Sequence, residues 1–466
     1  MNREGLVTED TGMMPINEDG NGKRRCRRLS VFLFLLLLAL QSALAAPLAA
    51  MDLMEAYIRA RQHDPLFGSY VHEHEAARTL PAQGRSFLLP QIQAYGSESR
   101  YYYDSAPSYY RDFDSESLGV SLKQPIFNVS RFYEYRQHKV RKNMGDARFV
   151  SAEQDLILRL AEAYFNALAA EDLLDLIDAE KRAVLEQREQ AKRMFQAGVS
   201  TITDVHDADS RYDSVLAKEI EARSNCDVKR LALKRIVGND STGLNPLRDD
   251  APLGLPDPER LESWIETARE NHPMLKSYAY RISYQEAELR KNEGQHWPSL
   301  DLVGGYNKTN TNDNLQTNRI SYGSIGVQLN LPVFSGGYTV AKVKESRAVL
   351  EKARMEYENA LADITQRLSE AFLAVRDSMS RIDALQTARK SALTSLKSNK
   401  MSLLAGVRTT IDVLNAERDL QDVLIRLLQA RYDCLLNSVR LKAYAGTISE
   451  RDVHEINGWL QTAAAE

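Results

Sequence analysis

Cysteine, tryptophan and long apolar runs are all scarce in this chain of 466 residues. It contains 3 Cys and 3 Trp, and Val31–Leu40 is its one long unbroken apolar run. That run is too short to cross a membrane as a helix, and no other segment approaches the necessary length of about 18 residues. Only Cys226 and Cys434 lie beyond it, too few for a disulfide framework or a cysteine-rich metal site.

The sequence also lacks a strong net charge and the common catalytic motifs. Lys and Arg number 60 against 64 Asp and Glu, a formal charge of −4, which argues against nucleic acid as the main partner. There is no HExxH, no GxSxG and no glycine-rich phosphate loop. The abundant carboxylates follow helix surfaces, where charge is expected. We therefore expect no catalytic residues, no cofactor and no metal.

The N-terminus has the three parts of a secretory signal peptide. Basic residues within 23–28 precede the run Val31–Leu40, and Ala43-Leu44-Ala45 supplies small residues spaced for cleavage. This order predicts a signal peptide over residues 1–45. The exported chain is then periplasmic, secreted, or held in the outer membrane by strands.

An internal repeat with an offset of 208 residues organises the rest of the chain. Residues that recur at this spacing include Pro65 and Pro273, Gly96 and Gly304, Arg159 and Arg367, Gly198 and Gly406, and Gly238 and Gly446. Chance matches would not keep one register over so long a stretch. We predict repeat 1 over residues 46–245 and repeat 2 over 258–455, joined by a linker at 246–257 and followed by a C-terminal tail at 456–466.

Each repeat carries the same order of predicted elements. Short helices come first, then two strands separated by a polar loop, then a very long helix without proline. A glycine turn ends that helix and a second helix returns. In repeat 1 we predict strands at about 90–103 and 117–127 and long helices at about 130–197 and 201–238. In repeat 2 the strands lie at about 298–308 and 318–332 and the helices at about 338–405 and 409–446.

Four strands per chain have the length of outer-membrane strands but cannot close a barrel. An open sheet edge in lipid would leave backbone groups unpaired. Three chains together would supply twelve strands, and helices of roughly 100 Å could bury their apolar stripes side by side as coiled coils. The predicted fold class is therefore an α+β membrane protein: a trimeric 12-stranded β-barrel continued by a long α-helical coiled-coil periplasmic tunnel.

Several stretches resemble the TolC-type outer membrane factor family. They are Ala197–Val205 and Ala405–Ala416 at the glycine turns, Tyr212–Ala217, and the strand ends Gln124–Phe127 and Leu331–Phe334. The resemblance implies a homotrimer in outer-membrane lipid with a large periplasmic part. It implies docking to a periplasmic adaptor (membrane fusion) protein and an inner-membrane ABC or RND transporter. The expected function is export of protein or small-molecule cargo, by type I secretion, multidrug efflux or both.

The turns between the long helices hold the candidate site residues. Thr201 and Thr409 each precede an acid by three residues, so Asp204 and Asp412 fit a capping box in which Asp replaces Glu or Gln. By resemblance, this segment also forms the periplasmic aperture of the tunnel, and Asp412 matches an acid that lines it. One Asp412 from each of three chains would attract cations and disfavour anions. The capping role and the aperture role are compatible.

The resemblance implies further roles at these turns. Arg408 matches a position that helps hold the aperture shut through bonds between chains, and Leu403 stands where the family has the aromatic partner. Asn415 occupies the position of the second aperture acid. The residues expected to lie near the adaptor are the helix-turn tips Gly198, Val199, Gly406 and Val407.

Two other classes of protein remain open at this point. A periplasmic adaptor or scaffold protein also has long helical hairpins, but it would carry one hairpin flanked by compact β domains rather than two. A periplasmic enzyme is opposed only by the lack of catalytic motifs. Heat-resistant trimers extracted from outer membranes would favour the channel, and a soluble monomer would favour either alternative.

Overall fold

Two copies of one helical and β-strand unit follow each other along the chain. The computed structural model describes residues 50–102, 112–238, 243–313 and 316–461, and the predicted signal peptide lies outside them. The first copy consists of α1 (Leu53–His63), α2 (Pro65–Ser86), β1 (Gln91–Tyr101), β2 (Phe113–Phe127), α3 (Val129–Gln196) and α4 (Ile202–Val237). The second consists of α5 (Leu261–Asn271), α6 (Pro273–Glu293), β3 (Ser299–Asp313), β4 (Gln316–Asn330), α7 (Tyr338–Leu404) and α8 (Thr410–Tyr444). A short helix, α9 (Glu450–Asn457), follows.

Two very long helices set the length of the molecule. α3 has 68 residues and α7 has 67, so each rises about 100 Å at about 1.5 Å per residue. The returning helices α4 and α8 have only 36 and 35 residues and therefore accompany the half next to the turn. The other half of α3 packs against α2 and α6, and α7 packs against α6. Each long helix thus packs against several shorter helices in succession to bury its apolar stripe.

The strands form one antiparallel sheet in the order β1-β2-β3-β4. Gln91 lies opposite Lys123 and Tyr101 opposite Phe113 in the first hairpin. The pairing of β2 with β3 joins the two repeats and contains an irregularity between Pro125 and Phe127. β1 and β4 are the edge strands, and within the described chain each of them pairs on one side only.

The largest core cluster of the described chain lies midway along α3. Tyr164 and Phe165 of α3 are fully buried there, with residues of α1, α8 and α9 around them. The Tyr164 hydroxyl donates to the carbonyl oxygen of Met51 at 2.9 Å, so the buried phenol has a partner. Met51 also forms a bridge with Leu244, which fixes the start of repeat 1 against its own end, just before the linker.

Part of the predicted C-terminal tail belongs to this core and is not a tail. Ile456 and Leu460 are buried, and the Asn457 side-chain oxygen accepts the N–H of Leu53 at 2.9 Å. Pro246 in the linker accepts the N–H of Gln461 at 2.8 Å. Single apolar residues spaced within a polar stretch gave too weak a pattern to predict this packing. Residues 462–466 of the predicted tail lie outside the described chain.

The strands differ in extent from the predicted ranges. β2 begins at Phe113 rather than 117, and β3 continues to Asp313 rather than ending at 308. Apart from Phe113 these extra residues are polar, and a search for apolar alternation assigns them to loops although backbone pairing continues through them. β4 ends at Asn330, before Pro332, whose backbone lacks the N–H that a ladder needs.

Among the helices that the structure describes, none combines the length and the apolar character needed to cross a membrane.

Candidate functional site

One side of the sheet is apolar. Directly opposed residues in paired strands point to the same side, so the register sorts the side chains into two sets. The set called here the apolar face consists of Ile92, Ala94, Gly96, Leu118, Val120, Leu122, Leu300, Leu302, Gly304, Tyr306, Gly323, Ile325, Val327 and Leu329. Ile92, Ile325 and Leu329 are 71%, 78% and 67% exposed. So large an exposed apolar surface marks an interaction site, with protein or with membrane.

The apolar face has the height of a membrane's hydrocarbon layer. Eight residue steps separate Leu300 from Lys308 on β3, which is about 26 Å at about 3.3 Å per residue. Beyond this level the same face turns polar, with Glu98, Glu116 and Arg319. At its lower end the aromatic side chains of Phe127, Trp297 and Phe334 are exposed. Transmembrane barrels carry an outward band about 25 Å tall with aromatic residues at the interfaces.

The opposite side of the sheet, called here the polar face, is lined by small and amide side chains. It includes Gln91, Gln93, Tyr95, Ser97, Ser117, Gly119, Ser121, Lys123, Asp301, Val303, Asn307, Ser324, Gln328 and Asn330. Tyr95 lies flat against Gly119, where an added Cβ would be 2.5 Å from the tyrosine oxygen. One face for lipid and one for water is the pattern of a channel wall rather than of a sandwich core.

Both helix-turn tips close in the same way. Gly198 and Gly406 adopt φ values of 72° and 74°, a left-handed conformation that glycine adopts without strain. The N–H of Val199 then donates to the Met194 carbonyl at 2.9 Å, and that of Val407 donates to Ser402 at 2.9 Å. These bonds satisfy carbonyl groups that the ends of α3 and α7 would otherwise leave unpaired. The turn is therefore set by the backbone and serves both repeats equally.

A capping box opens the helix after each turn. The Asp204 carboxylate accepts the N–H of Thr201 at 2.9 Å, and the Thr201 hydroxyl accepts the N–H of Asp204 at 3.3 Å. Asp412 and Thr409 repeat both bonds at 2.9 and 3.3 Å. The carboxylate also lies at the positive end of the helix dipole. Both aspartates thus have a structural function that is independent of any aperture.

The two aspartates differ in their neighbours. Asp204 accepts a further hydrogen bond from the Ser200 hydroxyl at 2.9 Å, whereas the Arg408 guanidinium lies 3.4 Å from Asp412. The pKa of each carboxyl is lowered mainly by the backbone N–H that donates to it, which is that of Thr201 for Asp204 and that of Thr409 for Asp412. Hydroxyl donors add to this effect at both tips, and Arg408 adds to it at Asp412. Both side chains are therefore ionised at neutral pH.

The remaining predicted residues lie at the two tips. Leu403 is half-buried against a cluster of Leu396, Val413, Ala416 and Leu420. Asn415 is exposed. Val199 and Val407 are 71% and 77% exposed, so each turn presents an apolar side chain to its surroundings. The structure thus gathers Leu403, Arg408, Asp412 and Asn415 on one tip and Asp204 on the other.

Buried charges near the tips escaped the sequence analysis. Glu180 of α3 is 1% exposed and is bound by Arg211 of α4 at 2.7 Å. Glu417 of α8 is 6% exposed, and Lys400 of α7 lies 3.8 Å from it. Burial raises the pKa of the Glu417 carboxyl. The available signal was a charged residue on an apolar stripe, as where Glu417 follows Val413 by four residues and precedes Leu420 by three.

Comparison with known proteins decides the family. The family model described as outer membrane efflux protein matches residues 56–239 and again 264–447, the same offset as the internal repeat. The chain is 33% identical to outer membrane protein TolC of Vibrio cholerae, over 90% of this chain and 96% of that one. It is 31% identical to alkaline protease secretion protein AprF of Pseudomonas aeruginosa, over 92% and 90% of the two chains.

The chain belongs to the outer membrane efflux protein family. Solved structures share its fold: the open state of the Neisseria gonorrhoeae MtrE outer membrane channel matches with a TM-score of 0.70 and 20% identity, over 86% of this chain and 91% of that one. The predictions of family, fold class, outer-membrane location and channel function are confirmed. This family member is an exit channel of the outer membrane with a large periplasmic part, and the family is one of transport proteins.

Proposed function

We propose that three copies of this chain close their sheets edge to edge into one twelve-stranded barrel and their helices into one periplasmic tunnel. The observation that carries this proposal is the two-faced sheet with both edges open. Its apolar face matches lipid and its polar face matches a water-filled lumen. β1 and β4 would each leave a row of backbone groups unpaired in the membrane, and pairing β4 with β1 of the next copy removes that cost.

The exposed valines support a second element of the proposal, docking of the tips to a periplasmic adaptor. Val199 and Val407 lie at the far ends of the hairpins and are 71% and 77% exposed, so each tip offers an apolar side chain for contact with a partner. In this arrangement the adaptor links the channel to an inner-membrane transporter of the ABC or RND class. The channel itself carries out no catalysis and needs no cofactor, because the pump supplies the work.

Asp412 is the aperture residue in this proposal, and Arg408 with Leu403 restrains the second tip. The capping bonds hold the Asp412 carboxylate in place in its ionised form. Three such carboxylates around one axis would attract cations and disfavour anions. Asp204 contributes to the first tip, and Asn415 adds polarity without charge at the second.

The cargo class follows from the relatives. One is named for alkaline protease secretion, and a further relative, proteases secretion protein PrtF of Dickeya chrysanthemi, is 27% identical over 89% of this chain and 92% of that one. These names favour secreted protein as cargo, by type I secretion. Efflux of small toxic molecules is the second candidate, supported by the family description.

An export assay in the native host tests docking and cargo together. The gene is deleted and replaced by the wild type, by Val407→Asp, or by Leu255→Asp, a control that charges a 52% exposed leucine in the linker. We expect Val407→Asp to keep heat-resistant trimers but lose export, and Leu255→Asp to keep both. Loss of secreted protein alone assigns type I secretion, and increased sensitivity to toxic compounds alone assigns efflux. Normal export by Val407→Asp would refute docking through the tips.

A further inference from the structure

The polar face of the sheet is almost free of charge. On the described part of this face, positions 91–99 of β1, 115–123 of β2, 299–311 of β3 and 318–330 of β4 carry mostly Ser, Gln, Asn, Thr, Gly and Tyr. The charged residues among them are Lys123 and Asp301. The apolar face, in contrast, gains several charges where it leaves the hydrocarbon level. Along these positions, charge is therefore kept out of one face of the sheet, with one matched exception.

That exception is an ion pair between the two repeats. The Lys123 ammonium lies 2.9 Å from the Asp301 carboxylate across the contact of β2 with β3. The Asp301 side chain is 11% exposed, whereas that of Lys123 is 58% exposed. Asp301 lies two residues from Val303, which is the direct partner of Lys123, so the pair is a diagonal one on a single face. The cation is thus held over the anion on the side that faces the lumen.

The repeat offers an internal comparison for both positions. The residue equivalent to Asp301 in repeat 1 is Gln93, and the residue equivalent to Lys123 in repeat 2, after the one-residue slip near the prolines, is Asn330. Each charge therefore stands where the other repeat has a neutral amide. β1 and β4 form with a neutral amide at these positions, so strand pairing in this sheet does not require a charged residue there. The two charges occur as a compensating set.

We propose that Lys123 and Asp301 are a charge-compensating pair that keeps the barrel lumen neutral, so that the barrel does not sort cargo by charge. This inference rests on the proposed function, in which the polar face lines the pore. Charge discrimination is then confined to the periplasmic tips, where Asp412 lies. An uncompensated charge at this level would appear three times around the pore and create a field that attracts one sign of ion.

Planar-bilayer recordings test the pair against a merely structural role. All proteins carry Asp412→Asn, so that the tip contributes no Asp412 charge, and they are compared without further change, with Lys123→Gln, with Asp301→Asn, and with both. La³⁺ is added on the barrel side, because carboxylate oxygens bind hard cations and a trivalent ion responds strongly to an uncompensated negative charge. Heat-resistant trimers in detergent establish that each variant is folded.

The two charge changes are expected to act in opposite directions. Lys123→Gln should favour cations over anions and become sensitive to La³⁺ block at concentrations about tenfold lower. Asp301→Asn should favour anions and resist La³⁺, and the double variant should return to the parental behaviour. If both single changes shift the ion selectivity in the same direction, or if the double variant does not regain the parental selectivity, the proposed role of the pair is wrong. Lys123 and Asp301 would then only stabilise the contact between β2 and β3. If the folded parent forms no pore at all, the proposed function itself fails.

Discussion

The two helix-turn tips are alike in backbone and different in the neighbours of one carboxylate. Gly198 and Gly406 turn with φ values two degrees apart, at 72° and 74°, and the capping bonds of Asp204 and Asp412 have the same lengths. The neighbours differ: a serine hydroxyl binds Asp204, whereas the Arg408 guanidinium lies beside Asp412.

This difference separates what both hairpins need from what one of them adds. The capping box stabilises the start of each returning helix, and this alone explains why each tip has an aspartate, without any role in transport. Position 415 is Asn where the first tip has Asp207, and position 403 is Leu where it has Phe195. Any difference in gating between the two tips must therefore come from the residues around the two aspartates that the tips do not share.

The largest effect is expected from removing the charge of one tip while keeping its cap. Asparagine can still accept the threonine N–H, so Asp412→Asn and Asp204→Asn should both leave the helix start intact. Because we assign the aperture to the second tip, Asp412→Asn should lower the cation-to-anion permeability ratio about threefold or more, and Asp204→Asn should change it less. Reversal potentials under a salt gradient measure both. Equal changes would remove the distinction between the tips.

Exchanging the neighbours tests the restraint by Arg408. Arg408→Ser gives the second tip the residue of the first, and Ser200→Arg does the reverse. If Arg408 holds the aperture shut, its loss should raise single-channel conductance about twofold, and Ser200→Arg alone should not. If Arg408→Ser leaves the conductance unchanged, Arg408 does not restrain the aperture and is only a surface ion-pair partner of Asp412.

Glycine substitutions should show where the tips are equal. Gly198→Ala and Gly406→Ala should each cost about 1–2 kcal/mol, because a side chain is strained at positive φ, although no neighbouring atom lies within 4 Å of an added Cβ. Gly446→Ala is the comparison: its φ is 72°, but a Cβ there would be 2.5 Å from His272 Cα. Thermal dissociation of the trimer should therefore be affected most by Gly446→Ala. A large difference between the two tip variants would contradict their equivalence.

The smallest expected effect is on pH dependence. The pKa of Asp204 and of Asp412 is lowered in the folded chain, so the stability that the boxes contribute is present above the unfolded value. It should be lost as the pH falls below about 4, through the lowered folded pKa values. The protection factors of the Thr201 and Thr409 amides in hydrogen exchange, taken relative to the intrinsic rate at each pH, should stay constant from pH 7 to 5 and fall below pH 4. In Asp412→Asn the Thr409 amide should lose this dependence while Thr201 keeps it.

The duplicated fold could be predicted because its signals are repeated and local. Glycine at a positive-φ turn, threonine three residues before aspartate, and proline-free helical periodicity each depend on neighbours in sequence. The channel class followed from the physical problem of four strands that cannot close a barrel alone. None of these features depends on a contact between residues that are distant in sequence.

What escaped prediction depends on distant contacts. Nothing in the sequence near Glu180 identifies Arg211 as its partner, since the pair forms only when α3 and α4 pack together. Leu460 joins the core through a bridge to Leu247 in the linker, which a pattern of isolated apolar residues does not reveal. The polar ends of β2 and β3 pair through backbone hydrogen bonds, and no alternation of apolar and polar side chains in the sequence indicates that pairing.

The most direct test of the account combines a mass measurement with a pore measurement. The wild-type chain is extracted from outer membranes in detergent, its mass is determined by light scattering, and the same fraction is reconstituted into planar bilayers. The account predicts a trimer that conducts ions and prefers cations. A folded monomer, or a trimer that forms no pore, would contradict the claim that the open sheets of three chains close into one barrel and form an exit channel.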